Sequence, residues 1–139
     1  MSFDEIRENF ELLDDWEDRY RYLIELGREL PPLPAALKSD ATKVRGCASQ
    51  VWLISRAEAD GAGKPRFNFQ GESDAHIVQG LIAILLAIHS GQSADEILET
   101  DTLKLFADLG LSEHLTPQRS NGLASMVSRI RADASAAAA

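Results

Sequence analysis

A single cysteine, Cys47, is the side chain in this sequence that most directly implies chemistry. It lies in the segment KVRGCASQVWL (43–53), immediately after Gly46, and an apolar, β-branched run follows it. Gly46 permits backbone conformations that other residues avoid, which is useful where another molecule must approach closely. The competing interpretation is that Cys47 is a small buried apolar residue, because free cysteines are often found in protein cores.

Charged and polar residues flank the thiol in the sequence. Lys43 and Arg45 precede it, and if these cations lie close in space they favour the nucleophilic thiolate. Ser49 and Gln50 follow it and are candidates to donate hydrogen bonds to the sulfur. We therefore place Cys47 in a loop that leads into a hairpin, and we take its immediate neighbours as candidate site residues.

The other residues of metal-binding type are not arranged for a metal. One cysteine excludes an intramolecular disulfide and every metal site that takes two or more cysteines from this chain. The histidines His76, His89 and His114 form no i, i+4 pair and no HExxH motif. The sequence predicts no metal site.

Three kinds of thiol chemistry remain for a reactive Cys47. A cysteine hydrolase needs a general base, usually a histidine oriented by a third group, and no motif marks one here. A thiol peroxidase usually has a resolving cysteine, which this chain lacks. A persulfide carrier needs one accessible thiolate and no second thiol, because a second thiol would attack the persulfide and discharge it as sulfide. A lone loop cysteine meets the last requirement, and the hydrolase and the peroxidase remain open at this point.

Composition and charge limit the class of protein. The 139 residues are 45% apolar and 26% charged, which is typical of one soluble globular domain. The net charge of −8 and the isoelectric point near 4.8 argue against a basic nucleic-acid-binding surface. Residues 1–30 carry ten acidic and four basic side chains. We expect a solvated face there, and the alternative is a docking surface for a basic partner.

No segment of the sequence resembles an export signal or a membrane span. MSFDEIRENF at the N-terminus is acidic and lacks the basic and apolar regions of a signal peptide. The longest apolar run, IVQGLIAILLAI (77–88), is shorter than the roughly 20 residues that span a bilayer, and it predicts a buried helix. We therefore expect a cytoplasmic protein without membrane contact.

Two helices are predicted at the N-terminus. Ser2 and Glu5 are spaced as a capping box, and apolar residues at helical spacing follow them. A second helix is predicted from Asp14 or Asp15 up to the PPLP segment (31–34), where proline stops it.

A small antiparallel sheet is predicted in the middle of the chain. VWLI (51–54) has the β-branched and aromatic character of a buried strand, and PRFNFQG (65–71) alternates as a second strand. The DGAG segment (60–63) predicts the turn between them. A third short strand is predicted before Cys47.

The rest of the chain is predicted to be helical. A buried helix is expected to begin at Ser73 or Asp74 and to run to about Ser90. A short helix is predicted from Ser93, which forms a capping box with Glu96, and another over 102–109, ended by Gly110. The last helix is predicted from Thr116 with Pro117 at its first position, and a frayed tail is predicted over about 134–139. The sequence thus predicts a single α+β domain over 1–139, with about three antiparallel strands packed against helices.

Four stretches of the sequence together resemble a known family. They are WEDRYRYLIELGRELPPLP (16–34), KVRGCASQVWL (43–53), GESDAHIVQGLIAILL (71–86) and HLTPQRSNGL (114–123). In this order they resemble the SufE family, the sulfur acceptors of cysteine desulfurases in iron–sulfur cluster assembly. The GCxSxVW element followed downstream by HLTPxRSxGL is the specific part of the resemblance.

The resemblance implies a function for the thiol. Cys47 would match the family's persulfide-forming cysteine, which takes a sulfur atom from the active-site persulfide of a SufS-type desulfurase, stimulates that enzyme and passes the sulfur to a SufBCD-type scaffold. The pyridoxal phosphate would belong to the desulfurase, so this chain would need no cofactor and would not be a stand-alone catalyst. The implied fold is α+β and similar to the IscU scaffold. IscU proteins hold a cluster with several cysteines, so this chain is not expected to scaffold one alone.

The resemblance also implies how the thiol is housed. In this family the resting thiol is tucked into an apolar cavity, and its loop must swing out to reach a partner. Gly46, Ser49 and Gln50 would shape that loop. Val51 and Trp52 are candidates for the cavity wall, and the alternative is that they are core strand residues.

Three more residues have two interpretations each. Asp74 would lie near the Cys47 loop, or it is a carboxylate favoured by a helix N-terminus. Arg119 would contact the partner or the Cys47 region, or it forms a structural salt bridge. His114 is expected to be a packing or capping residue rather than an acid–base group.

Several alternatives stay open within this interpretation. The sulfur donor could be a CsdA-type desulfurase instead of the SufS type. The chain could also activate a desulfurase allosterically without carrying sulfur. The sequence leaves open whether the protein is a homodimer.

Overall fold

The computed structural model describes residues 2–59 and 63–138. Two antiparallel strands and seven α-helices are found in these residues, and the mixed α+β fold class is confirmed. In chain order the elements are α1 (Phe3–Leu12), α2 (Trp16–Arg28), a short 3₁₀ turn (Ala35–Leu37), β1 (Val51–Ala59), β2 (Pro65–Ser73), α3 (His76–His89), α4 (Ala94–Glu99), α5 (Thr102–Asp108), α6 (Leu111–His114) and α7 (Pro117–Ala138).

The two N-terminal helices begin where the sequence predicts. The Ser2 hydroxyl accepts a hydrogen bond from the Glu5 backbone N–H (3.2 Å), and the Asp15 carboxylate accepts from the first-turn N–H groups of α2. α2 packs closely on α3 because Gly27 and Gly80 have no side chains. A Cβ on Gly80 would overlap the backbone carbonyl of Leu23, so this close approach requires glycine.

The sheet contains two full strands in the described part of the chain. β1 pairs with β2 in antiparallel register from Val51 opposite Ser73 to Ala59 opposite Pro65. The predicted third strand is reduced to a single bridge, between Lys43 and Trp52. It stays short because the chain turns away just before it, where the Lys43 N–H donates to the Ser39 carbonyl (3.0 Å). Most of the predicted DGAG turn lies outside the described residues.

The predicted start of the long central helix is wrong. β2 continues through Ser73, and α3 begins at His76. The N-cap residue of α3 is Ala75, whose methyl group cannot form a capping hydrogen bond. The Ser73 hydroxyl accepts from the Ala75 N–H (3.2 Å), so the serine ends the strand and orders the turn instead of opening the helix. α3 itself is buried along most of its length, as the apolar run predicts.

Short helices lead from α3 to the last helix. Ser93 and Glu96 form the predicted capping box at α4, and Gly110 ends the α5 region with a φ of 78°. The four-residue helix α6 was not predicted. α7 begins as expected, because Thr116 accepts from the Arg119 N–H (3.3 Å) and Pro117 occupies the first helical position.

The last helix extends past the point near residue 134 where the sequence predicts a frayed tail. α7 continues to Ala138, and Ala134 is fully buried in the core. Alanine has the highest helix propensity, and Asp133 anchors this turn by accepting a hydrogen bond from Ser55 of β1 (2.6 Å). The turn of α7 that contains Asp133 and Ala134 is therefore packed against the rest of the fold. Within the described ranges, no helix is both long and apolar enough to cross a bilayer.

Candidate functional site

Cys47 lies in a loop that is closed at its base by backbone pairing. The Val44 N–H donates to the Val51 carbonyl (2.8 Å), so residues 45–50 form the loop. Gly46 has a φ of 89°, in the left-handed region that favours glycine, and a Cβ there would lie 2.5 Å from the Ser125 hydroxyl oxygen. Gly46 is therefore needed both for the turn and for the fit of the loop against α7, as its predicted loop-shaping role requires.

The thiol rests in a cavity between its own loop, the start of α3 and the start of α7. The cavity has a volume of about 190 Å³. Cys47 is half-buried, and its Sγ lies 3.6 Å from the backbone carbonyl oxygen of Gly122, to which the thiol donates. The lining residues are Cys47, Ala48, Ser49, Ala75, Val78, Thr116, Gln118, Arg119, Gly122 and Met126.

Burial raises the pKa of the Cys47 thiol above its ordinary value, because the thiolate would lose hydration in the cavity. This direction is opposite to the effect expected of Lys43 and Arg45. Neither Lys43 nor Arg45 lines the cavity, and Arg45 is exposed. In its resting position the thiol is therefore kept protonated and weakly nucleophilic.

Asp74 joins the end of the loop to the start of α3. Its carboxylate accepts a hydrogen bond from the Gln50 N–H (3.0 Å), and its own N–H donates to the Gln50 carbonyl (3.3 Å). The structure thus places Asp74 beside the Cys47 loop. Gln50 takes part through its backbone, and its side chain is not among those that line the cavity.

Ser49 and Arg119 both line the cavity, as their sequence positions suggested. Arg119 is exposed in the first turn of α7, and no salt bridge of its side chain is found among the described residues. The structure therefore favours the interpretation in which Arg119 belongs to the Cys47 region over the one in which it is a structural ion pair.

Val51 and Trp52 are strand residues rather than walls of the cavity. Val51 is completely buried in the core, and Trp52 lies on the other face of β1, where the Lys38 ammonium is 5.2 Å from its ring. Neither lines the cavity. Both are strand residues, but only Val51 belongs to the core, and Trp52 is half-buried outside the core cluster.

The three histidines are outside the lining of the Cys47 cavity. His89 is buried and hydrogen-bonds to Gln92 (2.9 Å) and to Thr102 (3.0 Å), and burial lowers its pKa below the ordinary value. His114 stacks on Trp16 with ring centroids 3.6 Å apart, which is the packing role expected of it. Across 2–59 and 63–138 no histidine lines the Cys47 cavity, and no cluster of side chains could hold a metal ion.

The sequence did not single out the α7 residues that hold the loop. Gly122 provides the carbonyl for the thiol, Ser125 contacts Gly46, and Arg129 donates hydrogen bonds to the carbonyls of Ala41 and Lys43. Only Gly122 lies within the HLTPQRSNGL stretch. The available signal was the spacing of 122, 125 and 129, which puts these positions on one face of a helix.

Comparisons with known proteins agree on one family. Residues 4–134 match the family model described as SufE, Fe-S metabolism associated domain. An uncharacterized SufE-like protein of Rhizobium meliloti is 55% identical over 133 residues, which cover 96% of this chain and 94% of that protein. An uncharacterized SufE-like protein of Rhizobium etli is 53% identical over 138 residues, covering 99% of this chain and 93% of the other.

A solved structure shares the fold. The solution structure of a hypothetical protein from Thermus thermophilus matches with a TM-score of 0.75 over 99% of this chain and 98% of that chain, at 23% identity. The family model and the two relatives extend over nearly the whole sequence and include Cys47, its loop and the start of α7. The chain therefore belongs to the SufE family.

Proposed function

We propose that Cys47 accepts a sulfane sulfur from the active-site persulfide of a SufS-type cysteine desulfurase and carries it as a persulfide. Membership of a family associated with iron–sulfur metabolism supports a role in this process. The observation that carries the proposal is the placement of the chain's one thiol in the middle of a loop, beside a cavity that can house it. The loop is joined to the body at both of its ends, which suits a segment that moves while the fold stays intact.

The proposed transfer is a thiol–persulfide exchange. The Cys47 thiolate attacks the terminal sulfur of the donor persulfide, a new S–S bond forms on Cys47, and the S–S bond of the donor breaks. The donor cysteine leaves as a thiolate and can take up the proton that Cys47 released. The exchange needs no external oxidant or reductant, and with one cysteine in the chain no internal thiol can discharge the product.

In this proposal the cavity holds the Cys47 thiol in an unreactive state until the loop moves out to meet the donor. Inside it the pKa of Cys47 is raised by burial, so the thiol stays protonated and protected from solvent oxidants. When the loop leaves the cavity this desolvation is lost, and the thiolate becomes more accessible at the surface where the donor is encountered. We propose that Arg119 and Ser49, which line the cavity, contact the donor together with Arg45 and Asp74.

The proposed product is delivered to another protein. Cys47 persulfide would pass its sulfur to a SufBCD-type scaffold, and removal of sulfur from the desulfurase would speed that enzyme's turnover. The pyridoxal phosphate of the reaction belongs to the desulfurase, and this chain acts as its partner without catalysing a reaction alone. A free thiol carrier suits a reducing compartment, and we place the protein in the cytoplasm.

The absence of a histidine from the cavity weighs against the hydrolase considered from the sequence, since such an enzyme needs a base beside its thiol. None of the described cavity-lining side chains is a histidine, and the nearest hydrogen-bond partner of Cys47 is a backbone carbonyl. The peroxidase is opposed by the single cysteine, which leaves no resolving thiol.

The test is intact-mass measurement and peptide mapping after incubation with a SufS-type desulfurase and cysteine, without reductant. We expect a gain of one sulfur atom on the Cys47 peptide, reversed by reductant and absent in Cys47→Ser. The serine hydroxyl can still donate to the Gly122 carbonyl, so this variant should fold normally.

Two results would overturn the proposal. If neither the wild type nor the variant gains sulfur but both stimulate the desulfurase equally, the chain is an allosteric activator. If a CsdA-type enzyme transfers sulfur and the SufS type does not, the carrier chemistry stands but the donor assigned here is wrong.

A further inference from the structure

The base of the Cys47 loop is bonded on both of its sides. On one side the Thr42 carbonyl accepts from the Leu53 N–H (2.9 Å) and the Val44 N–H donates to the Val51 carbonyl (2.8 Å). These two bonds attach the short strip 41–44 to the edge of β1. A strip of this length, held by two hydrogen bonds at a sheet edge, is expected to open readily. Its N–H and C=O groups can then form hydrogen bonds with water.

Arg129 of α7 bonds to the opposite side of the same strip. Its guanidinium donates from Nη2 to the Ala41 carbonyl (2.6 Å) and from Nη1 to the Lys43 carbonyl (3.2 Å). Backbone carbonyls alternate in direction along an extended chain, so these two carbonyls point away from β1. Arg129 thus satisfies the acceptors that the sheet cannot reach.

Asp133 fixes the direction of this guanidinium. It lies one helical turn after Arg129, and its carboxylate is 3.3 Å from Arg129 Nε. Its other oxygen accepts a hydrogen bond from the Ser55 hydroxyl of β1 (2.6 Å). The Arg129 and Asp133 side chains are both about one quarter exposed, at 28% and 27%, so water screens the pair only in part.

We propose that Arg129, oriented by Asp133, is a positioning residue that sets where the mobile part of the Cys47 loop begins. This inference deepens the proposed sulfur-carrier function and rests on it for its biological purpose. With the strip held, the short segment from Val44 to Cys47 limits the reach of the thiol to about 10 Å from that anchor. Release of the strip back to Ala41 would double the free length to about 20 Å.

The restriction has a consequence for transfer. A short free segment loses less conformational entropy when it is ordered inside a partner's active site than a long one does. Arg129 therefore favours productive docking of Cys47, while it also keeps the resting thiol at the Gly122 carbonyl. Removal of Arg129 should expose the thiol more often and yet weaken its delivery.

The experiment compares Arg129→Ala with the wild type on the free protein. The rate of Cys47 alkylation by iodoacetamide and the amide hydrogen exchange of residues 41–50 are measured at neutral pH. We expect alkylation to rise by about tenfold, since loss of a hydrogen bond to a charged donor changes an opening equilibrium by about that factor. Amide exchange should rise within 41–50 and not in α3.

Arg131→Ala is the matched control. Arg131 lies on the same helix and also donates to a backbone carbonyl, that of Leu98 (3.0 Å), away from the Cys47 loop. Its alkylation rate should equal the wild-type rate. Arg129→Lys keeps the charge but not the two-pronged donor, so it should restore protection only in part. If Arg129→Ala does not fold, Asp133→Asn serves instead, because it removes the negative charge that orients the guanidinium and leaves the Arg129 side chain unchanged.

Persulfide transfer supplies the last measurement. With a SufS-type donor, Arg129→Ala should raise the KM for this protein as the acceptor. The KM is expressed in the concentration of folded protein, so that a loss of global stability alone leaves it unchanged. Wild-type alkylation and exchange in both Arg129→Ala and Asp133→Asn would overturn the inference, as would an equal increase in Arg131→Ala. These alkylation and exchange readouts need no desulfurase, so a failure of sulfur transfer in the wild type would count against the proposed function and not against the role of Arg129.

Discussion

At the scale of single residues, the reactivity of this protein is governed by where one sulfur atom rests. The Cys47 thiol combines a cavity with a weak donor contact to the Gly122 carbonyl, and neither feature stabilises a thiolate. Lys43 and Arg45 are near it in the sequence without overcoming the effect of burial. In the proposed function, the cavity thus keeps Cys47 unreactive through its position, and movement of the loop is the step that makes the thiol reactive.

The pH dependence of alkylation follows from this burial. Because the pKa of Cys47 is raised above the ordinary 9.0, its thiol stays protonated in the folded protein at a pH where the unfolded chain has begun to ionise. The stability of the fold should therefore decline as the pH rises from about 9 through the folded pKa. We expect the midpoint of the pH profile for iodoacetamide alkylation to be higher in native protein than in protein unfolded by urea. A native midpoint equal to or below the unfolded one would contradict the desolvated resting position.

At the scale of elements, helix packing depends on where glycine is required. Gly80 in α3 faces the Leu23 carbonyl of α2 with no room for a methyl group, so Gly80→Ala should destabilise the protein by about 1–3 kcal/mol through overpacking. Gly122 in α7 is the matched control, because its added Cβ would lie 3.6 Å from the Cys47 sulfur, an ordinary contact. Gly122→Ala should be neutral or stabilising by about 0.5–1 kcal/mol. Urea unfolding of both variants checks the pair, and similar losses in the two would show that the tight approach of α2 and α3 has been misjudged.

The elements also show which features the sequence could predict. Caps such as Ser93 and turn residues such as Gly110 act over a few positions, so their local patterns predicted helix limits correctly. Ser73 is a residue type that often begins a helix, but its pairing with Val51 across the sheet extends the strand through it. Ala134 looks like tail sequence, and it is a core residue only because α7 crosses to β1. These last two outcomes depend on contacts between segments far apart in the chain.

The same distinction holds for the site. Gly46 and Asp74 were found from the sequence because the first adjoins the cysteine and the second lies in a stretch that resembles the family. Arg129 was not found, because nothing near it in the chain suggests that it bonds to carbonyls more than 80 residues away. Residues that hold a loop from another element can be identified only once the packing of that element is known.

At the scale of the whole molecule, stability at mildly acidic pH should depend on one buried histidine. His89 links the end of α3 to α5 through Thr102 and to the following turn through Gln92, and it contacts the ring of Phe69 edge-on from the sheet. Burial lowers its pKa, and the positive charge of Arg131 acts in the same direction. The fold therefore selects the neutral imidazole.

The sign of the pH effect follows from that selection. Below about pH 6.5 the unfolded chain binds a proton at His89 that the folded protein resists, so the free energy of unfolding should fall as the pH drops from 6.5 towards the lower folded pKa. Between about pH 7.5 and 5.5 the carboxylates remain largely ionised, which leaves histidine titration as the main variable. Urea unfolding at these two pH values should show a loss of stability in the wild type and in His76→Gln, a change at an exposed histidine. His89→Gln should be less stable at both pH values but should lose less between them. An equal loss in all three proteins would mean that protons bind elsewhere in the unfolded chain, and that the His89 network is not what couples the sheet, α3 and α5 to pH.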